Sequence, residues 1–172
     1  SNALFSNEVG SGNVAVGKAS LQENQGGSNN VAIGDEAMYH NVEGAHNTAI
    51  GVQSLFNNIG NSNVGIGYNA LYANTTGYGN VGIGNFALSA NLVGLENTAV
   101  GYYALPFATG SSNTALGGNA LFETTTGDKN TAVGRNALYG NLVGTENTAI
   151  GYNASQNNAE GDYNTAIGSF SL

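Results

Sequence analysis

"NTAIG" occupies residues 47–51, recurs at 147–151 and returns at 164–168. A short apolar run closed by glycine suits a ligand-cradling loop, and it suits a corner of a scaffold equally well. The spacing separates the two. Asn13, Asn30, Asn47, Asn63, Asn80, Asn97, Asn113, Asn130, Asn147 and Asn164 follow one another at 17 or 16 residues. Ten copies of one unit result, written N-[VT]-[AG]-[VIL]-G-x-x-[AS]-[LM]-x-x-N-x-x-G-x-x. A fixed period of this length is the signature of a solenoid, in which each unit forms one coil.

Glycine never varies at position five of the unit (Gly17 through Gly168) or at position fifteen (Gly10 through Gly161). Each series marks a corner where a positive φ or a close backbone approach is demanded. The segment before the first corner, Thr148-Ala149-Ile150 for example, alternates with period two and is β-branched, which predicts a strand. Position eight is always Ala or Ser and position nine is Leu or Met except at Ser155, so a second strand is expected there. So much Gly and Asn leaves no room for a helix. The two 16-residue units both lose their residue just before the second glycine, at Ile59-Gly60 and Thr109-Gly110, which places that corner in solvent.

Asparagine is a poor strand former, yet it holds position one throughout and position twelve in most units. Two readings account for it: identical amides stacked about 4.8 Å apart pass hydrogen bonds up the solenoid, or each Asn satisfies backbone groups of its own turn. Both give the same fold.

The chain has 172 residues, no cysteine, three basic side chains (Lys18, Lys129, Arg135) and a net charge of -8. Disulfides and thiolate metal sites are excluded. Nucleic acid is not an expected partner, because phosphate neutralisation needs a basic stripe. No apolar run approaches the roughly 20 residues that cross a bilayer as a helix, and no signal peptide is present, so no direct membrane insertion is expected of this segment. Residues 1–3, Ser-Asn-Ala, read as the remnant of a purification tag, and residues 4–172 as a single repeat domain cut from a longer protein, since both ends fall at position nine without a cap.

A coil this short encloses a thin core, and alternation supplies two apolar faces: positions two and four on one, position three on the other. Burying the second face between chains predicts a homo-oligomer, with a trimer as the expected state. Inside the coil, the Ile of position four is expected opposite the Leu of position nine.

The "VAVG", "VAIG" and "TAIG" cores followed by x-x-[AS] resemble the YadA-like head repeats of trimeric autotransporter adhesins, and the unit is also similar to repeats of phage tail fibres. The resemblance spans essentially the whole chain. It implies a left-handed parallel β-roll, three chains about one axis, and a stiff adhesive head or shaft at the bacterial surface or on a virion tail, meeting host matrix proteins or surface glycans. The longer unit and the Leu or Met of position nine depart from adhesin heads, and no binding residue is carried over.

Several motifs compete with that reading. Gly77-Tyr78-Gly79-Asn80-Val81-Gly82 matches G-x-G-x-x-G, but no βαβ unit surrounds it. "IGYNAL" fits the hexapeptide pattern of left-handed β-helix acyltransferases, yet the period falls short of a three-sided coil, and neither His40 nor His46 recurs or has an evident acidic partner. An ice-binding solenoid would use the threonines of position two, which Val14, Val31, Val64 and Val81 interrupt. Calcium needs several converging carboxylates, which no unit offers. The expectation is therefore an all-β parallel solenoid of about ten coils, about 45 to 50 Å long at the usual strand spacing, with no catalytic residue, cofactor or metal. Its candidate partner-binding residues are the aromatics of position ten, Tyr39, Phe56, Tyr72, Phe122 and Tyr139, which stacking aligns in a broken stripe. The competing and favoured reading is that the stripe closes the roll's edge or the subunit interface.

Overall fold

The computed structural model describes residues 2–172. Each position-one Asn leads into a three-residue strand: β1 (Val14–Val16), β2 (Val31–Ile33), β3 (Thr48–Ile50), β4 (Val64–Ile66), β5 (Val81–Ile83), β6 (Thr98–Val100), β7 (Thr114–Leu116), β8 (Thr131–Val133), β9 (Thr148–Ile150) and β10 (Thr165–Ile167). The strands pair in sequence order and in parallel as one ten-stranded sheet, so the chain winds about nine turns between the first strand and the last. Register is strict: Val14 lies beside Val31, Ala15 beside Ala32 and Val16 beside Ile33, and the 16-residue units keep it, with Thr48 beside Val64. The parallel β-solenoid read from the period is the fold observed, and the described residues contain no helix.

Positions eight and nine, expected as a second strand, are turns. Position nine sits in the left-handed region, with φ of 50° at Leu21, 51° at Leu88 and 49° at Leu138, and position seven does the same, at 61° for Phe86 and 50° for Tyr103. A strand cannot pass through such residues. The chain instead makes consecutive turns, with Ala87 N–H donating to Gly84 O at 3.2 Å and Asn91 N–H to Leu88 O at 3.1 Å. Left-handed leucine costs roughly 1 to 2 kcal/mol per residue. It persists because this geometry turns the side chain into the coil, where Leu21, Met38, Leu55, Leu71, Leu88, Leu105, Leu121 and Leu138 form one fully buried column.

That column displaces the other expected core residue. Position three, Ala or Gly, faces inward and is buried from Ala32 to Ala149, whereas the Ile of position four faces out, 38% exposed at Ile33 and 40% at Ile150. With leucine filling the coil, only a methyl group fits opposite. Even this fails at Gly65, where a Cβ would lie 2.6 Å from Ser54 Oγ and 3.1 Å from Leu55 Cγ. The Ser54 hydroxyl takes the space and donates to Gly65 O at 2.8 Å.

The two glycine series answer different demands. Position five needs its left-handed φ, between 122° and 141°, and a Cβ at Gly84 would also lie 2.7 Å from the carbonyl carbon of Gly101 on the next coil. Position fifteen has no such φ and is required by proximity alone, since a Cβ on Gly77 would meet the Asn74 side chain and stand 2.6 Å from Gly94 O. The corner at positions thirteen and fourteen is exposed at Ile59, Leu92 and Val93, as the deletions predicted.

Candidate functional site

Both readings of the asparagines hold, and position twelve combines them, since its amides also donate to a glycine carbonyl of their own coil, as Asn41 does to Gly44 O at 2.9 Å. At position one, Asn47 N–H donates to Asn30 Oδ1 at 2.9 Å while the Asn47 amide donates to Gly60 O of its own coil at 2.9 Å. At position twelve the amides form a true side-chain ladder: Asn41 donates to Asn24 at 2.9 Å, Asn74 to Asn58 at 2.6 Å and Asn91 to Asn74 at 2.8 Å. All of these groups are buried. The ladder stops where Ala108 and Thr124 replace Asn, and there Asn91 Oδ1 and Thr124 Oγ1 are buried without a partner. These ladders fix the register, so every side chain outside them stands in a column one strand spacing from its equivalents.

Position ten is such a column. The structure brings Tyr39, Phe56 and Tyr72 together, with ring centroids 5.4 and 5.2 Å apart and planes within 19° and 11°. Phe122 and Tyr139 form a second stack at 5.1 Å and 9°. Ser89 and Pro106 hold the intervening positions, so the two stacks do not join within the column. Each ring is half-buried, and within each stack the facing ring surfaces cover one another, Phe56 being covered on both sides. What the stripe offers to solvent is mainly ring edges and the tyrosine hydroxyls, of which Tyr39 Oη already accepts from Gln22 Nε2 at 3.1 Å.

A second aromatic group lies at positions six, seven and eleven. Phe86 and Tyr103 stack at 4.6 Å, Tyr68 meets Phe86 edge-on at 5.3 Å, Tyr102 meets Tyr103 edge-on at 4.6 Å, and Tyr103 and Phe107 both reach Phe122. These rings run along a neighbouring lane and join the Phe122–Tyr139 stack at Phe122, and Tyr68, Tyr102 and Phe107 are exposed. The expected stripe omitted them. Aligning positions six and seven across the units would have shown Tyr68, Tyr102 and Tyr152 in one column and Phe86, Tyr103 and Phe170 in the next.

Set against known protein families, curated proteins and solved structures, the chain matches none of them. Its own surface carries what can be inferred of its function.

His40, expected to lack an acidic partner, has one. Its Nδ1 lies 2.6 Å from Glu23 Oε2, both residues standing at position eleven of successive units, and its ring packs edge-on against Tyr39 and Phe56. Sequence distance hid the pair; the column brings it together. Lys129 Nζ pairs with Glu146 Oε1 at 3.2 Å in the same way. Both pairs are open to solvent, where such bridges contribute about 0 to 1 kcal/mol. Among the described residues no group of three or more His, Asp and Glu side chains converges on a metal position, and no helix is long and apolar enough to cross a membrane. A hollow at the last coil is lined by Ser155, Asn157, Asn158, Asn164 and Leu172, with no titratable side chain among them.

Proposed function

We propose that this chain is a structural and adhesive segment, the head or shaft of a trimeric bacterial surface adhesin or tail-fibre-like protein, placed outside the cell or on a virion tail and acting without catalysis. The observation that carries the reading is the outer face of the ten-stranded sheet. Position four forms an unbroken apolar column from Val16 to Ile167, and position two adds valine or threonine in register beside it. Val16, Ile33, Ile50, Ile83, Leu116, Ile150 and Ile167 are all exposed on the single chain. A continuous apolar face of this kind marks an interaction surface. Three copies packed by these faces about a common axis would complete a core that one thin coil lacks, and the corners at positions six to fourteen would remain outside for presentation.

In that arrangement Tyr39, Phe56, Tyr72, Phe122 and Tyr139 run lengthwise along an outer corner. With the inner ring faces mutually occupied, a matrix protein or surface glycan would meet the stacks mainly through edges and hydroxyls. A binding screen of the immobilised rod against matrix proteins and a glycan panel tests the reading. Saturable binding that the unfolded chain lacks supports it, and absence of binding to either class removes the adhesive part.

A further inference from the structure

Column six is interrupted once. It runs Lys18, Asp35, Val52, Tyr68, Asn85, Tyr102, Gly118, Arg135, Tyr152, Ser169, and only Gly118 lacks a side chain. Backbone bonds hold this part of the column in register, with Asn119 N–H donating to Tyr102 O at 3.0 Å and Asn136 N–H to Gly118 O at 3.1 Å. A Cβ added at Gly118 would meet nothing nearer than Tyr102 O at 3.8 Å, and its φ is not left-handed, so neither packing nor backbone conformation demands glycine there. The missing side chain leaves a slot floored by backbone, with Tyr102 on one side and Arg135 on the other, two strand spacings or about 9.5 Å apart.

Aromatic rings one coil apart in this rod stack at 4.6 to 5.4 Å. A two-coil slot therefore admits one ring-shaped group at ordinary contact with both walls. Tyr102 is 58% exposed, its ring touching only Tyr103 among the described aromatics. Arg135 is exposed and, among the described residues, makes no ion pair, while Lys129 is paired. Column seven supplies polar groups alongside: Asn119 donates to Asn136 Oδ1 at 3.3 Å and Asn136 to Asn153 Oδ1 at 3.0 Å, which leaves Asn119 Oδ1 as a free acceptor next to the slot.

We infer that the Tyr102–Gly118–Arg135 slot binds a carboxylated pyranose, a uronic or sialic acid residue of an acidic glycan. The inference rests on the presenting role proposed above and names its ligand class. The sugar's C–H face lies on the Tyr102 ring, its carboxylate forms a two-point pair with the Arg135 guanidinium, and a ring hydroxyl donates to Asn119 Oδ1. A phosphorylated ligand is disfavoured, because a single cation on a rod of net charge -8 balances a monoanion and no more.

The test is titration of the folded chain with methyl glucuronide, the methyl glycoside of N-acetylneuraminic acid and neutral methyl glucoside, followed by saturation-transfer NMR. The inference expects at least one acid to bind about tenfold or more tighter than the glucoside, the scale of a charge-assisted hydrogen bond. Gly118→Val, which fills the slot, and Arg135→Gln should each abolish that preference with an unchanged melting temperature, while Lys18→Gln should leave it intact. Equal binding of acid and neutral sugar, binding that survives Gly118→Val, or equal loss in Lys18→Gln would overturn it. The mass of the assembly, measured on the same samples, reports separately on the trimeric reading.

Discussion

Ala108→Asn should stabilise the protein, although it places a polar side chain in a fully buried position. Asn91 Oδ1 and Thr124 Oγ1, on the coils either side of Ala108, are buried without partners. The other 16-residue unit shows that the amide fits this geometry: Asn58 at the equivalent position donates to Gly60 O at 2.9 Å and Asn41 Oδ1 at 3.3 Å, and accepts from Asn74 at 2.6 Å. An asparagine at 108 would donate to Gly110 O and Asn91 Oδ1 and accept from the Thr124 hydroxyl. Relieving each unsatisfied group returns about 1 to 3 kcal/mol, against about 1 kcal/mol of side-chain entropy. The net gain over the two groups is about 1 to 5 kcal/mol, and at about 2 to 4 °C per kcal/mol for a chain of this size the melting temperature should rise by roughly 2 to 20 °C. Thermal unfolding followed by circular dichroism, at matched protomer concentration because assembly contributes to apparent stability, reads this directly. Hydrogen exchange should slow in the coils around residues 91 and 124. A variant no more stable than the parent would refute the claim that the interrupted ladder is a weak point of the rod.

Gly84→Ala should be strongly destabilising, by about 1 to 3 kcal/mol for the left-handed backbone alone with the collision against Gly101 added, whereas Gly118→Ala should be neutral within about 0.5 kcal/mol; paired thermal melts check the contrast. Ala99→Leu should lower stability by at least about 1 to 3 kcal/mol through overpacking against the leucine column, and urea unfolding would show it as a reduced midpoint. If the position-ten stripe meets a partner, Tyr72→Ala and Tyr139→Ala should weaken adhesion of coated beads while the melting temperature holds; a parallel loss of both would assign the stripe to closing the corner.

The solenoid was legible because its period, its glycines and its position-one asparagines each answer to a backbone demand repeated at every coil. The deletions at Ile59 and Thr109 located the exposed corner for a similar reason: packed segments do not shorten. Which face of the strand turns inward was not legible. Composition favours Ile150 over Ala149 for a core, and the preference reverses only because Leu138 and its equivalents adopt a left-handed backbone that L-residues rarely use and no residue type announces. The same conformation removed the second strand. At the surface, single-column reading found Tyr39, Phe56 and Tyr72, but Tyr102, Phe107 and the His40–Glu23 pair depend on contacts between columns or across a full coil. Gly118 was hidden by abundance, one of 27 glycines in the chain.

In the proposed trimer the exposed Val, Ile and Leu of position four are buried against two further copies of the chain. Sedimentation equilibrium at micromolar concentration tests it most directly. A trimer packed through position four gives a single species of three chain masses, and Ile83→Asp weakens its assembly. A folded, stable monomer over the same range would contradict it.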